Sequence, residues 1–324
     1  MVTLWIGTDT GRGGEGIYRA HLDSATGQLA RPELAAPTPE PTWLTRHPAV
    51  PVLYSVSELP AQGWVRSWSI GSRGVLEETQ AIPSGGGLPC HLAVIAGEVW
   101  AANYEDGAVL RAPLDEAGQI GAPCVDAHRG QSVHARQAGP HAHCVAASAD
   151  GVLVADLGTD SLWHHGDGCS PFVVLPAGCG PRTLAALGDR VFLCGELDNH
   201  LYELRGRDLL ARLPLLPGDT PSAAAQLTLH PDGRRLFVAN RGPDSISVFD
   251  VSTPGRPERL SLWPTVGRHP RHFAISPDGR WLLVANRDSH SIVTLDAATG
   301  RAVAEQSVPA PTCVLPDTAP AGTS

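Results

Sequence analysis

The chain repeats itself, and the repeat decides which folds are open to it. Residues 225–251 read AQLTLHPDGRRLFVANRGPDSISVFDV, and residues 271–297 read RHFAISPDGRWLLVANRDSHSIVTLDA. In each copy an apolar strand runs into Pro-Asp-Gly, a turn-forming triplet. A second strand ends in Val-Ala-Asn-Arg, and a third alternates apolar and polar residues after a short polar turn. Weaker copies lie at 42–58, 90–107, 143–161 and 182–200, and a partial one, LWIGTDT then GIYRAHLD, opens the chain. The second strands end at Thr8, Ser57, Asn103, Asp156, Gly195, Asn240 and Asn286, with successive spacings of 49, 46, 53, 39, 45 and 46 residues. Four-stranded propeller blades repeat every 40–50 residues or so. The expected fold is therefore all-β, a seven-bladed β-propeller of four-stranded antiparallel blades, formed as one domain over residues 1–317.

The first copy lacks a leading strand, and the end of the chain holds a spare one. PAPTCVLPD at 309–317 mimics PEPTWLTRHP at 39–48, which leads into the second copy. Thr312–Leu315 is thus expected to be the innermost strand of the blade whose other strands are N-terminal, pairing an otherwise open edge. Residues 318–324 are expected to be a disordered tail. Composition agrees with many short strands and tight turns: 35 Gly and 29 Pro among 324 residues, with no long helical periodicity.

All 24 basic residues are Arg, the net charge is −9, and no basic run appears, so a nucleic-acid groove is not expected. An acidic chain that binds an anion must use a few local arginines. The seven cysteines are odd in number, form no C-x-x-C pair and sit mostly in apolar strands, as reduced packing residues do. MVTLWIGT reads as a strand rather than a signal peptide, and no apolar run approaches membrane-spanning length. A soluble cytoplasmic protein with no membrane partner, a monomer or weak homo-oligomer, is expected.

The register also places a site. The start of each innermost strand and the end of each second strand share one mouth of the channel. That mouth collects Arg182, Arg241, Arg271, Arg287, His91, His143, His272, Glu58 and Glu196, whereas the opposite rim receives mostly Asp-Gly turns. Asn240, Asn286 and Asp156 are expected to cap turns through their side chains. The most polar connection, HRGQSVHARQAGPHAHC at 128–144, leads into the fourth copy. Its histidines show no recognisable metal-ligand spacing, so no structural zinc is expected. His164 and His165 are read as surface residues of a hairpin. PSGGGLP at 83–89 leads into no helix and is not a phosphate loop. No cofactor motif is present.

Several of these pieces together resemble a known family. They are IGT at 6–8, PSGGGLPCH at 83–91, AANY at 101–104, RQ-x-GPH-x-H at 136–143, GPR at 180–182, GEL at 195–197 and the two V-A-N-R blades. In this order, over nearly the whole chain, they resemble the lactonase family of seven-bladed propellers. That family includes bacterial 6-phosphogluconolactonase and the fungal carboxy-muconate lactonising enzyme. The resemblance implies a small-molecule sugar lactone as substrate, 6-phosphoglucono-1,5-lactone first among them, in carbohydrate metabolism. It places the family's His, Arg, Glu and further Arg on His141 or His143, Arg182, Glu196 and Arg241. In that reading His143 or Glu196 takes the proton of water and Arg182 meets the oxyanion. Arg136, His141, Arg241, Arg271, His91 and His272 are the candidates for binding substrate. The chain departs from the family at Thr183, where a His usually follows the GPR arginine, and at Asp9, where a Tyr is usual. The fourth copy also lacks Pro-Asp-Gly. The rival readings are diacid lactonisation, a non-catalytic binding propeller, and a metal-dependent lactonase using Glu58, Asn103, Asp156 and Glu196.

Overall fold

The structure is a computed structural model and describes residues 1–317. Seven four-stranded antiparallel sheets follow one another around a ring. Six of them run in chain order from the channel outward, starting at Leu44–Arg46, Pro89–Ile95, Ala142–Ser148, Pro181–Leu187, Ala223–Leu229 and Pro270–Ile275. These are blades 2 to 7. Blade 1 is composite: its innermost strand is Pro311–Pro316, and the N-terminal strands Val2–Thr8, Gly16–Leu22 and Glu33–Pro37 complete it. The expected closure is what the register shows, with Leu4 opposite Pro316 and Ile6 opposite Val314. Beside the seam the Arg46 guanidinium stands 2.7 Å from one oxygen of Asp317, and the indole of Trp5 donates to the other. The expected tail, 318–324, lies outside the described residues.

The propeller is held by contacts between blades. The buried apolar side chains fall into seven clusters, one at each junction of neighbouring blades. At the closing junction Leu4, Ile6 and Tyr18 of blade 1 pack on Leu283, Ala285 and Ile292 of blade 7. Each such side chain, fully buried, contributes about 1.5–3 kcal/mol, so no junction can be lost cheaply. The outermost strands alternate instead, as Glu258–Pro264 does, with one face in solvent. Among the described residues the only helical segments are four single turns, and no helix is long and apolar enough to cross a membrane.

Candidate active site

Innermost strand starts do face second-strand ends at one mouth: Pro89 opposes Asn103, Ala142 opposes Asp156, Pro181 opposes Gly195, and Pro270 opposes Asn286. At this level the register slips in a repeated way. Pairing jumps from Pro89 to His91, from Ala142 to Cys144, from Pro181 to Thr183 and from Pro270 to His272. Blade 1 slips between Gly7 and Thr8, passing over Thr312. A bulge leaves one residue out of the ladder and re-aims its side chain. The residues left out are Cys90, His143, Arg182, Arg271 and Thr312, and all five border one cavity at the channel mouth. Thr42, Trp43, His91 and Thr183 complete its wall. The free space is about 10 Å³, room for about one water. In blade 6 the slip is larger, from Ala224 to Leu227, so that strand begins at Ala223 rather than at the expected Ala225.

Glu196 is the centre of charge. It follows Gly195, where a Cβ would collide with Asp198 and the carbonyl of Cys179, so only glycine lets the chain turn there. Its side chain is buried against three guanidiniums: Arg136 at 2.7 Å on one oxygen, Arg182 at 2.7 Å and Arg241 at 3.0 Å on the other. The Arg182 Nε–H is not aimed at the oxygen, so that contact is a charge pair rather than a hydrogen bond. Burial pushes the Glu196 carboxyl upward, but Arg241, Arg182, His143 and Arg136 outweigh it and hold the group well below the usual carboxylate range. Arg241 also donates to the carbonyls of Ala223 and Ala224. Burial, offset by Glu196 and reinforced by Arg182 and Arg271, lowers Arg241 to about 10. Across the mouth Arg271 reaches both oxygens of Glu58, at 3.3 and 3.2 Å, and Thr42 donates to the same carboxylate. Four guanidiniums thus face two carboxylates, leaving two net positive charges.

The histidines divide by role. His91 accepts the backbone N–H of Val145, and His272 accepts that of Val314, each on the neighbouring innermost strand. Burial, His272 and Arg182 lower His91 to about 3; burial, Arg182 and Arg271 lower His272 to about 3. Both are therefore neutral brackets between blades, flanking the ring of Trp43. Thr183 ties blades 5 and 6 in a different way, donating to the carbonyl of Ala225. His143 is the exception. Its Nδ1 lies near the Cys90 thiol, while Nε2 has no hydrogen-bond partner among the described residues. Burial first, then Arg182, lowers its pKa well below that of a free imidazole, so it is a neutral acceptor at neutral pH.

The polar connection before blade 4 forms a strap over this mouth. Arg136 sits on its single helical turn, Ala135–Gln137, capped by His134, and donates to Glu196 and to the Tyr104 hydroxyl. His141 stacks on the Tyr104 ring and its Nδ1 meets the Tyr104 carbonyl. Asp156 caps its turn as expected, accepting from Gly158 and Thr159. Asn240 and Asn286 do not cap turns as expected: neither Oδ1 accepts a hydrogen bond, and their amide groups donate instead, Asn240 to the Ser245 carbonyl and the Ser247 hydroxyl, Asn286 to the Thr265 carbonyl. His165 also differs from expectation: it is buried, not on the surface, because alternation along Ser161–His165 puts it on the same inward face as Trp163. Its Nε2 meets His128 Nε2 at 2.9 Å. Among the described residues no three His, Cys, Asp or Glu side chains gather as metal ligands. Asn103 spends its amide on the carbonyls of Ser84 and Ala108.

Fold and site together define a class: a seven-bladed propeller whose bulged innermost strands build a cationic mouth around the buried carboxylate of Glu196 and the neutral His143. The description of the seven-bladed β-propeller lactonases fits residues 3–316, and the chain belongs to that family of lactone-hydrolysing enzymes. The chain is similar to 6-phosphogluconolactonase of Bacillus subtilis, 31% identical over 83% of each sequence. Among solved structures, it is similar to a periplasmic gluconolactonase of Pseudomonas aeruginosa (26% identical, TM-score 0.88, covering 98% of this chain and 99% of that one). It is also similar to a Bacteroides fragilis protein described as a candidate 6-phosphogluconolactonase (27% identical, TM-score 0.88, 97% of each chain).

Proposed function

We propose that the protein hydrolyses a sugar δ-lactone carrying an anionic group, with 6-phosphoglucono-1,5-lactone the leading substrate. The observation that carries this reading is the excess of two positive charges at a mouth where His91, His143 and His272 are neutral. A guanidinium fork matches a phosphate or carboxylate. Arg241 is committed to Glu196 and two carbonyls, which leaves Arg136, half exposed, and Arg271, loosely paired, to receive the anion.

His143 Nε2 takes a proton from water as the water oxygen bonds to the lactone carbonyl carbon. Glu196 is a poor base in this arrangement, because three cations stabilise it unprotonated. It holds Arg182 instead, and Arg182 meets the oxyanion of the tetrahedral intermediate. Collapse breaks the ring C–O bond, the ring oxygen leaves as a hydroxyl with the proton from His143, and the product is the open hydroxy acid. A phosphorylated sugar lactone also suits a cytoplasmic place, in contrast to the periplasmic relative. The test is hydrolysis of 6-phosphoglucono-1,5-lactone against unphosphorylated gluconolactone, corrected for spontaneous opening. Preference for the phosphorylated lactone is expected, and no acceleration of either would overturn the proposal.

A further inference from the structure

Behind the strap lies a buried polar chain that the catalytic scheme does not use. Asp156 is fully buried, and its two oxygens serve both ends of the segment 128–141. One oxygen lies 2.7 Å from His128 Nδ1, at the start of the segment; the other accepts the backbone N–H of His141, at its end, at 2.9 Å. Because the second oxygen also accepts from Gly158 and Thr159, every partner of this carboxylate is a donor, so His128 carries its hydrogen on Nδ1. His128 Nε2 in turn lies 2.9 Å from His165 Nε2, so one hydrogen bond joins the two rings.

His165 Nδ1 makes no hydrogen bond; Asp126 stands 3.6 Å away. The charged and titratable neighbours of this pair are Asp126, Asp156, His164, Cys169 and, on the strap, Arg129. Burial first, then His128, lowers His165 to about 4. Trp163 stacks on His128 and the edge of Trp100 meets His165, so water is excluded. Unpaired polar atoms in such a place are costly, which makes the arrangement of the chain specific. The middle of the strap is fixed separately, by Gln137 donating to Leu157 and Asp160.

We propose that the chain His165–His128–Asp156 is a positioning relay that sets the strap 128–141 so that Arg136 stands over the mouth for the anionic end of the substrate. The role of Arg136 in it rests on the anion reading above. His143 and Arg182 lie on innermost strands rather than on the strap, so disturbing the relay should weaken binding and spare the chemistry.

His165→Leu removes the hydrogen-bond partner of His128 Nε2. KM for 6-phosphoglucono-1,5-lactone should rise about tenfold, the worth of one charge-assisted contact, with kcat within about twofold. KM for unphosphorylated gluconolactone should not move, and His165→Gln, which keeps an N–H, should restore the first KM. An unchanged KM, or a rise shared by both lactones with a fall in kcat, would overturn the proposal. If His165→Leu does not fold, His128→Asn, whose side chain is too short to join Asp156 to His165, should raise the same KM by a similar factor, and no rise would refute the relay. Backbone hydrogen exchange reads the relay apart from the substrate. Exchange over 128–141 should quicken in His165→Leu while blades 5 to 7 stay as they were, and unaltered exchange there refutes the relay. Arg136→Ala separates the two ideas: if it leaves KM unchanged the anion reading fails, and exchange alone then decides for or against the relay.

Discussion

Glu196→Gln separates the two candidate bases and tests the charge balance at once. The substitution keeps the shape of the side chain and removes the one negative charge that Arg136, Arg182 and Arg241 share. Removing one partner of a buried ion pair costs about 3–5 kcal/mol, because the other charge stays behind uncompensated. Arg182 and Arg241 have side chains only 5% and 12% exposed and carry that cost, whereas Arg136, at 44%, is largely screened and adds little. We therefore expect a loss of about 3 kcal/mol, which for a chain of this size lowers Tm by about 6 °C. The mouth of the variant holds three excess positive charges instead of two, so inorganic phosphate should raise the Tm of the variant more than that of the wild type. The pH dependence has a definite sign. The folded-state pKa of Glu196 is depressed from 4.5, so its stabilisation is fully present above that value and is lost as pH falls through the lower folded value. The gap in Tm between wild type and variant should hold from neutral pH down to about 5 and narrow in stronger acid. With His143 as base, kcat of the variant should stay within about tenfold of wild type, since losing a true general base costs about 10²–10⁴. Thermal melts in chloride and in phosphate, beside initial rates, are sufficient. A loss of activity beyond about a thousandfold with Tm unchanged would refute this reasoning and make Glu196 the base.

Arg182→Ala should lower kcat by about 10²–10³ with a smaller change in KM, measured by steady-state kinetics. Because burial and Arg182 depress the pKa of His143, its neutral form persists below the usual histidine range. The rate should therefore not drop as pH falls through 6.5, and a titration of kcat/KM near that value would show that another group is the base. His143→Gln should cost about 10²–10⁴ in kcat with Tm little altered. Deleting residues 309–324 removes the innermost strand of blade 1, and circular dichroism should show loss of cooperative unfolding rather than a modest shift in Tm.

Blade number, strand order and ring closure were legible because they rest on repetition, which survives substitution of individual residues. The mouth was legible for the same reason: once two strands of a blade are assigned, their shared end follows. The bulges were not read, because an unpaired residue has no composition of its own. A signal was nevertheless there. Pro89, Pro181, Pro270 and Pro311 each directly precede the residue left out of the ladder, and within sheets proline is confined to edges, strand starts and bulges. The bracket roles of His91 and His272 depend on backbone N–H groups of another blade, Val145 and Val314, and no local pattern announces such partners. His165 was misread for a simpler reason. Two adjacent histidines in a strand point to opposite faces, and only His165 shares the inward face with Trp163.

Closure of the ring also sets an order of events in the making of the protein. Val2–Thr8 leaves the ribosome before every other strand of the propeller, yet its inner partner, Pro311–Pro316, is the last of those strands to follow. Blades 2 to 7 can each form from continuous chain, but the first-made strand must wait with its inner edge open until the last propeller strand has been made. Such an open edge invites pairing with other chains, so the waiting strand is the hazard of synthesis. Thr312 lies in that final strand and on the wall of the cavity. A nascent chain with six finished blades is therefore still without a complete cavity wall at its cationic mouth, and a chain cut before Pro311 loses the ring and the mouth together.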